Sequence, residues 1–181
     1  MIKLFATVCF SMALSTSMVE ENIYSHSVMS IEGVLRPLGT CQGKKVLIVT
    51  LPIQQNASND SLLSSLDSLR AVYNNSLVII GVPSYEDGYT PTLKESLKQW
   101  YRSKLSMDII VTEGLYTRKS SGNQQNSLFK WLTNKNRNEH FDKDVEGPRF
   151  KFVVWTDGEL VAVLGAQTRI GGNTMQGLLQ Q

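Results

Sequence analysis

Lys45-Val46-Leu47-Ile48-Val49-Thr50-Leu51 is an almost unbroken apolar and β-branched run. A strand with one wet face alternates apolar and polar residues, so a run of this kind belongs to a strand covered on both faces. A second such run, Leu77-Val78-Ile79-Ile80-Gly81-Val82, follows it. Between the two, Leu62, Leu63, Leu66, Leu69 and Tyr73 recur at helical spacing, with Asn59 or Asp60 as candidate cap and Asn74-Asn75 as the stop. Strand, helix and strand in this order form a right-handed βαβ unit with parallel strands.

The neighbouring segments extend this unit in both directions. Upstream, residues 28–38 read as a small hairpin around Glu32-Gly33. Downstream, Thr90 is placed to cap and Pro91 to open a helix that carries Leu93, Leu97, Trp100 and Tyr101 on one face. Residues 107–112 read as extended, and 124–133, with Leu128, Phe129 and Leu132, as a short helix. Residues 150–155, the Asp157-Gly158 turn and residues 160–164 form a second hairpin. Residues 173–179, with Met175, Leu178 and Leu179, close the chain as an amphipathic helix. The order is βαβ, a helical crossover, then ββα. It resembles the thioredoxin arrangement: an α/β fold with a central mixed sheet flanked by helices, here with an N-terminal hairpin.

Composition narrows the function classes. A formal net charge of +2 and 19% charged residues leave no strongly basic face, which argues against nucleic-acid binding. Residues 1–19 read as a secretory signal peptide: Lys3 supplies the positive start, an uncharged run follows, and small residues precede Glu20-Glu21. The run is too short for a membrane span, so none is expected once the leader is removed. Residues 20–181 then form one domain, exported to the periplasm or the exterior. Cys9 leaves with the leader and Cys41 remains, so no internal disulfide and no CxxC couple can form. His140 stands near Glu139, Asp142 and Asp144, but one histidine among loop carboxylates reads as a solvated loop. No cofactor and no metal are expected.

In a fold of this type the reactive position follows the first central strand, where helical N–H groups favour an anion and lower a cysteine's pKa. Here that stretch is Pro52-Ile53-Gln54-Gln55-Asn56-Ala57-Ser58, without a cysteine. Ser58 is its one hydroxyl nucleophile, with no base beside it. The chain nevertheless resembles the glutathione peroxidase family. Gly43-Lys44-Lys45-Val46-Leu47-Ile48-Val49 is similar to that family's G-K-x-L-L-I-V, and Gly81-Val82-Pro83 to its G-F-P. Leu128-Phe129-Lys130-Trp131-Leu132 resembles its L-Y-K-W-L. Residues 150–154 with Asp157-Gly158 resemble its W-N-F-x-K-F-L-V strand and the turn after it. The matches run in order over residues 24–179.

The resemblance implies hydroperoxide reduction by a cysteine or selenocysteine assisted by Gln, Trp and Asn. Position by position, the nucleophile's place falls on Gln55, the glutamine's on Glu86, and the Trp-Asn pair on Gly147-Pro148. The resolving cysteine of many members falls near Trp100 or Tyr101. None of these residues is kept. An amide nitrogen is not a nucleophile toward peroxide, and a carboxylate at Glu86 would raise a neighbouring thiol's pKa. Pro148 has a further reading, because a proline before the third central strand is often cis in such folds and presents backbone to ligands; a trans proline opening the strand is the alternative. The sequence therefore points to a protein without the family's catalytic residues, binding a protein or small molecule through Gln54, Gln55, Asn56, Tyr85, Glu86 and Pro148. The rival reading is a divergent thiol-dependent peroxidase that reduces hydroperoxides with Cys41. A third is a thioredoxin-type protein unrelated to peroxidases.

Overall fold

The computed structural model describes residues 21–181; the leader and Cys9 lie outside them. Strands β1 (Ser27–Met29) and β2 (Leu35–Pro37) pair antiparallel as the expected hairpin. Strand β3 (Lys45–Leu51) leads into helix α1 (Ala57–Val72) and strand β4 (Leu77–Pro83). A 3-10 turn at Pro91–Leu93 opens α2 (Lys94–Arg102), followed by β5 (Ile110–Val111). Helices α3 (Ser127–Thr133) and α4 (Lys135–Asn138) precede the hairpin β6 (Lys151–Val154) and β7 (Leu160–Leu164), and α5 (Asn173–Gln180) ends the chain.

The main sheet has the order β5-β4-β3-β6-β7. β3 is central, parallel to β4 (Leu47 opposite Ile79) and antiparallel to β6 (Leu47 opposite Val153). Alternation along β3 divides the interior into two layers. Leu47, Val49 and Leu51 face Leu63, Leu66 and Leu69 of α1, Leu97 and Tyr101 of α2, and Met175 and Leu179 of α5. Val46 and Ile48 face the other way, toward Ile23, Leu38, Cys41 and the Leu128, Phe129, Trp131 and Leu132 cluster of α3. Both faces are dry, which is why β3 reads as an unbroken apolar run. Gly81 of β4 permits a close approach, since a Cβ there would stand 2.6 Å from Leu51 Cδ1.

The elements match the expected order, and their edges differ for local reasons. The α1 cap is Asn56, not Asn59 or Asp60: its Oδ1 accepts from the Asn59 backbone N–H at 2.9 Å, the reach that a cap requires. Asn59 instead turns its Nδ2 to the Gln54 carbonyl at 2.7 Å. Helix α1 ends at Val72, with Tyr73 as C-cap. Of residues 107–112 only Ile110–Val111 pair as strand with β4; on the other edge β5 meets the N-terminal hairpin through single bonds, the Ile31 N–H donating to the Val111 carbonyl at 2.8 Å. Helix α3 begins at Ser127, where the Asn126 side chain caps it. Among the described residues no peptide bond is cis, so Pro148 is trans, and β6 begins at Lys151.

Replacing the cap by Asn56→Ala should lower unfolding stability by about 1 kcal/mol, as loss of such a cap does. Urea denaturation followed by circular dichroism checks it; an unchanged midpoint would contradict the cap assignment.

Candidate functional site

The turn from β3 into α1 is held from below. Pro52 is buried, and its carbonyl accepts from the Tyr101 hydroxyl at 2.9 Å. Trp100, the neighbour of Tyr101 on α2, donates its indole N–H to Asp60 of α1 at 2.7 Å. Aromatic donors thus occupy the place where the resemblance puts a resolving cysteine, and they clamp the turn to the core. Ile53 is half-buried, whereas Gln54, Gln55 and Asn56 are exposed.

The facing wall is the segment before β6. The Thr50 hydroxyl donates to the Gly147 carbonyl at 2.7 Å and accepts from the Phe150 N–H at 2.9 Å. The Arg149 N–H donates to the Thr50 carbonyl at 2.7 Å. These bonds hold Arg149 at φ 68°, a left-handed conformation that costs a non-glycine residue about 1–3 kcal/mol. The result is a guanidinium laid over the start of α1, with Nη2 donating to Ser58 Oγ at 2.7 Å and Asn59 Oδ1 at 2.6 Å. A helix N-terminus favours an anion, so a cation there is held by its hydrogen bonds against the macrodipole.

Between these walls lies a cavity of about 250 Å³. Pro52, Ile53, Gln54 and Asn59 line it from the turn, Pro148 and Arg149 from the facing segment, and Asp87 closes it from the loop after β4. Gly88, at φ 98°, turns the chain directly after Asp87. The Asp87 side chain is only 9% exposed. One of its oxygens pairs with the Arg118 guanidinium, while Oδ2 is buried without a hydrogen-bond partner among the described residues. Burial pushes the Asp87 carboxyl above the ordinary carboxylate range; Arg118 opposes that shift and Glu86 reinforces it.

Glu86, one residue earlier, points elsewhere. Its carboxylate accepts from the Thr117 and Arg118 backbone N–H groups at 2.9 Å and from the Ser84 and Ser121 hydroxyls at 2.5 Å. Burial alone would raise this carboxyl. The Ser121 and Ser84 hydroxyls and the Arg118 and Thr117 amides outweigh burial and hold it at about 2. Glu86 therefore tethers the 115–121 segment. Tyr85 stacks on Tyr116 at 4.6 Å and meets Tyr89 edge-on at 5.3 Å.

Of the six residues singled out as a binding rim, the structure brings Gln54 and Pro148 together on the cavity. Gln55 and Asn56 stand exposed beside it, and Tyr85 and Glu86 brace the loop behind it. Asn59, Asp87 and Arg149 were not legible as site residues. Asp87 sits beside an equally acidic residue, and nothing local marks Arg149 as left-handed. Cys41 is 2% exposed among the α3-side core residues, with burial pushing its thiol up. It precedes β3 while the cavity follows it, and a seven-residue strand separates such ends by roughly 20 Å. His140 pairs with Glu159 at 2.7 Å and Asp142 with Lys119 at 2.5 Å, so these side chains go to separate partners.

No family model matches the sequence, and no curated protein resembles it in sequence. Solved structures do resemble it in shape. A protein called Trgpx, in its apo form, superposes with TM-score 0.63 at 16% identity, over 89% of this chain and 97% of its own. GPX1 of T. cruzi gives 0.62 at 12% identity, over 88% and 97%. A thioredoxin-like protein from Aeropyrum pernix gives 0.57 at 12% identity, over 86% and 88%. The fold is thioredoxin-like. At such identities the likeness carries the architecture, and the chemistry has to be read from the side chains above.

Cys41 should resist Ellman's reagent in the folded protein and react fully in denaturant; rapid reaction of the native thiol would contradict its burial. The Glu86 network should also shape acid stability. Its folded carboxyl lies below the ordinary value of 4.5, so its contribution is complete above that value and is lost as pH falls toward about 2. Glu86→Gln should therefore destabilise at neutral pH and flatten the fall of stability between those limits, as read by urea melts along a pH series.

Proposed function

We propose that this protein is a glutathione-peroxidase-like protein without peroxidase activity, working by binding a protein or small-molecule ligand at the cavity between Gln54, Asp87 and Arg149. One observation carries the reading. Where a peroxidase needs a thiolate at the mouth of α1, the chain places Gln55, and the Arg149 guanidinium is already hydrogen-bonded across the start of the helix. Neither group can displace on a peroxide oxygen, because neither offers an available lone pair at neutral pH.

The cavity is nonetheless built to hold something polar. Among the described residues the buried Asp87 Oδ2 lacks a partner, a state that favours a ligand donating a hydrogen bond to it. The guanidinium opposite suits an acceptor, so a ligand carrying a donor and an acceptor would span the two. The apolar walls of Pro52, Ile53 and Pro148 supply contact area. Export to the periplasm or exterior belongs to the same reading and rests on the leader sequence. Among the described residues no helix is long and apolar enough to cross a membrane.

The test is hydroperoxide consumption by the purified protein with glutathione or thioredoxin as reductant. Consumption should stay at the rate of the buffer. Turnover far above that rate, abolished by Cys41→Ser, would replace this reading with a peroxidase that uses Cys41.

A further inference from the structure

A second and larger groove, of about 620 Å³, lies between the first turns of α1 and the 166–172 segment leading into α5. It adjoins a recess of about 480 Å³ farther along α1, and Ser61, Ser65 and Gly171 line both. The two parts differ in charge. The first holds Arg149, Lys151 and Arg169 and no carboxylate. The second holds no charged residue, and Leu69, Val72 and Tyr73 supply its apolar surface.

The cations of the first part lack counter-ions. Arg70, Arg102, Arg118 and Arg137 each meet a carboxylate, whereas Arg149 and Arg169 meet none among the described residues. Asp60, the acidic residue in the first turn of α1, pairs with Trp100 and Lys104 instead. Arg149 is half-buried and spends Nη2 on Ser58 and Asn59. Its Nε and Nη1 find no partner among the described residues and are left to solvent, so the rest of the guanidinium fork is free for a ligand. Behind them Lys151, only 1% exposed, donates Nζ to the Arg149 and Gly165 carbonyls. It adds a positive charge that acts on the groove through the field and not by contact. Cations held close together without a counter-charge are costly, and a bound anion removes that cost.

We propose that this groove binds a phosphate monoester, its dianionic head between Arg149 and Arg169 and its uncharged body along α1 against Leu69, Val72 and Tyr73. A phosphate carries about −1.5 to −2 charge at pH 7 and three acceptor oxygens, enough to engage both guanidiniums. A carboxylate brings one charge and one oxygen fewer, and satisfies a single fork. The Ser58 hydroxyl accepts from Arg149 and keeps its own O–H to donate to the head. The apolar recess next to the cationic part is what calls for an ester over the free ion. This inference goes beyond the reading of the first cavity and does not rest on it, because Arg169 lines the groove and not that cavity.

Phenyl phosphate serves as the probe, titrated calorimetrically into the full folded chain at pH 7 and low ionic strength. Arg169→Gln, at an exposed rim position, should weaken its binding roughly tenfold, the loss of one charge-assisted contact. Arg36→Gln removes the same net charge from an exposed arginine that lines a different pocket, and should leave the affinity unchanged. Benzoate, the same ring with one charge, should bind at least about tenfold more weakly. Inorganic phosphate should bind roughly several-fold more weakly, because it leaves the apolar recess unfilled. Glutathione, whose anionic groups are carboxylates, should not displace the probe at equal concentration. Absence of saturable binding, or an effect of Arg169→Gln no larger than that of Arg36→Gln, would overturn the proposal. So would displacement by glutathione, or benzoate or inorganic phosphate binding as tightly as phenyl phosphate.

Discussion

The rest of the structure depends on the burial of β3 on both of its faces. Val46 to Val49 and Leu51 are all 0% exposed, and each such side chain contributes on the order of 1.5–3 kcal/mol when fully buried. That demand requires two layers of cover. The layer of α1, α2 and α5 takes Leu47, Val49 and Leu51; the layer of α3 and the N-terminal segment takes Val46 and Ile48. It also requires a strand on each edge, which β4 and β6 supply in opposite senses. A central strand so confined has one free place for chemistry, the C-terminal end where the chain leaves the sheet and turns into α1.

At that end the electrostatics run against the habit of the architecture. A helix start is a natural seat for an anion. Here the one acidic residue of the first turn, Asp60, is turned to Trp100 and Lys104; Asn56 caps the helix, Asn59 turns inward, and Arg149 reaches across from the segment before β6. The guanidinium is held there by a strained backbone, itself pinned through Thr50 to Gly147 and Phe150. A chain that binds a polar ligand gains a fixed donor at the rim of a cavity.

The adjacent carboxyls Glu86 and Asp87 illustrate how environment separates like residues. Glu86 collects backbone amides and hydroxyls and is held strongly acidic. Asp87 is buried against one guanidinium with an oxygen left over, and its carboxyl is pushed the other way. Neighbouring titratable groups whose environments drive them apart take up different tasks. Here one ties down the 115–121 segment while the other faces the cavity.

The order of elements was legible in the sequence because each depends on local pattern. The runs at 45–51 and 77–82, the leucine spacing of α1, and the Asp157-Gly158 turn all name their own structure, and the absence of a thiol at Gln55 is visible on inspection. The sequence alone also shows that Cys41 is the single cysteine among residues 21–181. What tertiary structure decided is which side chains meet. Tyr85 and Glu86 resemble rim residues by position, yet the 115–121 segment folds onto them and takes them out of the cavity. Arg149 and Lys151 look like ordinary charges flanking Phe150, until the Thr50 hydroxyl sets the backbone and sheet alternation sends the lysine inward. Local periodicity specifies which residues are helix or strand, but convergence of Asp87, Arg149 and Asn59 joins segments tens of residues apart, and only the packed sheet brings those segments within reach.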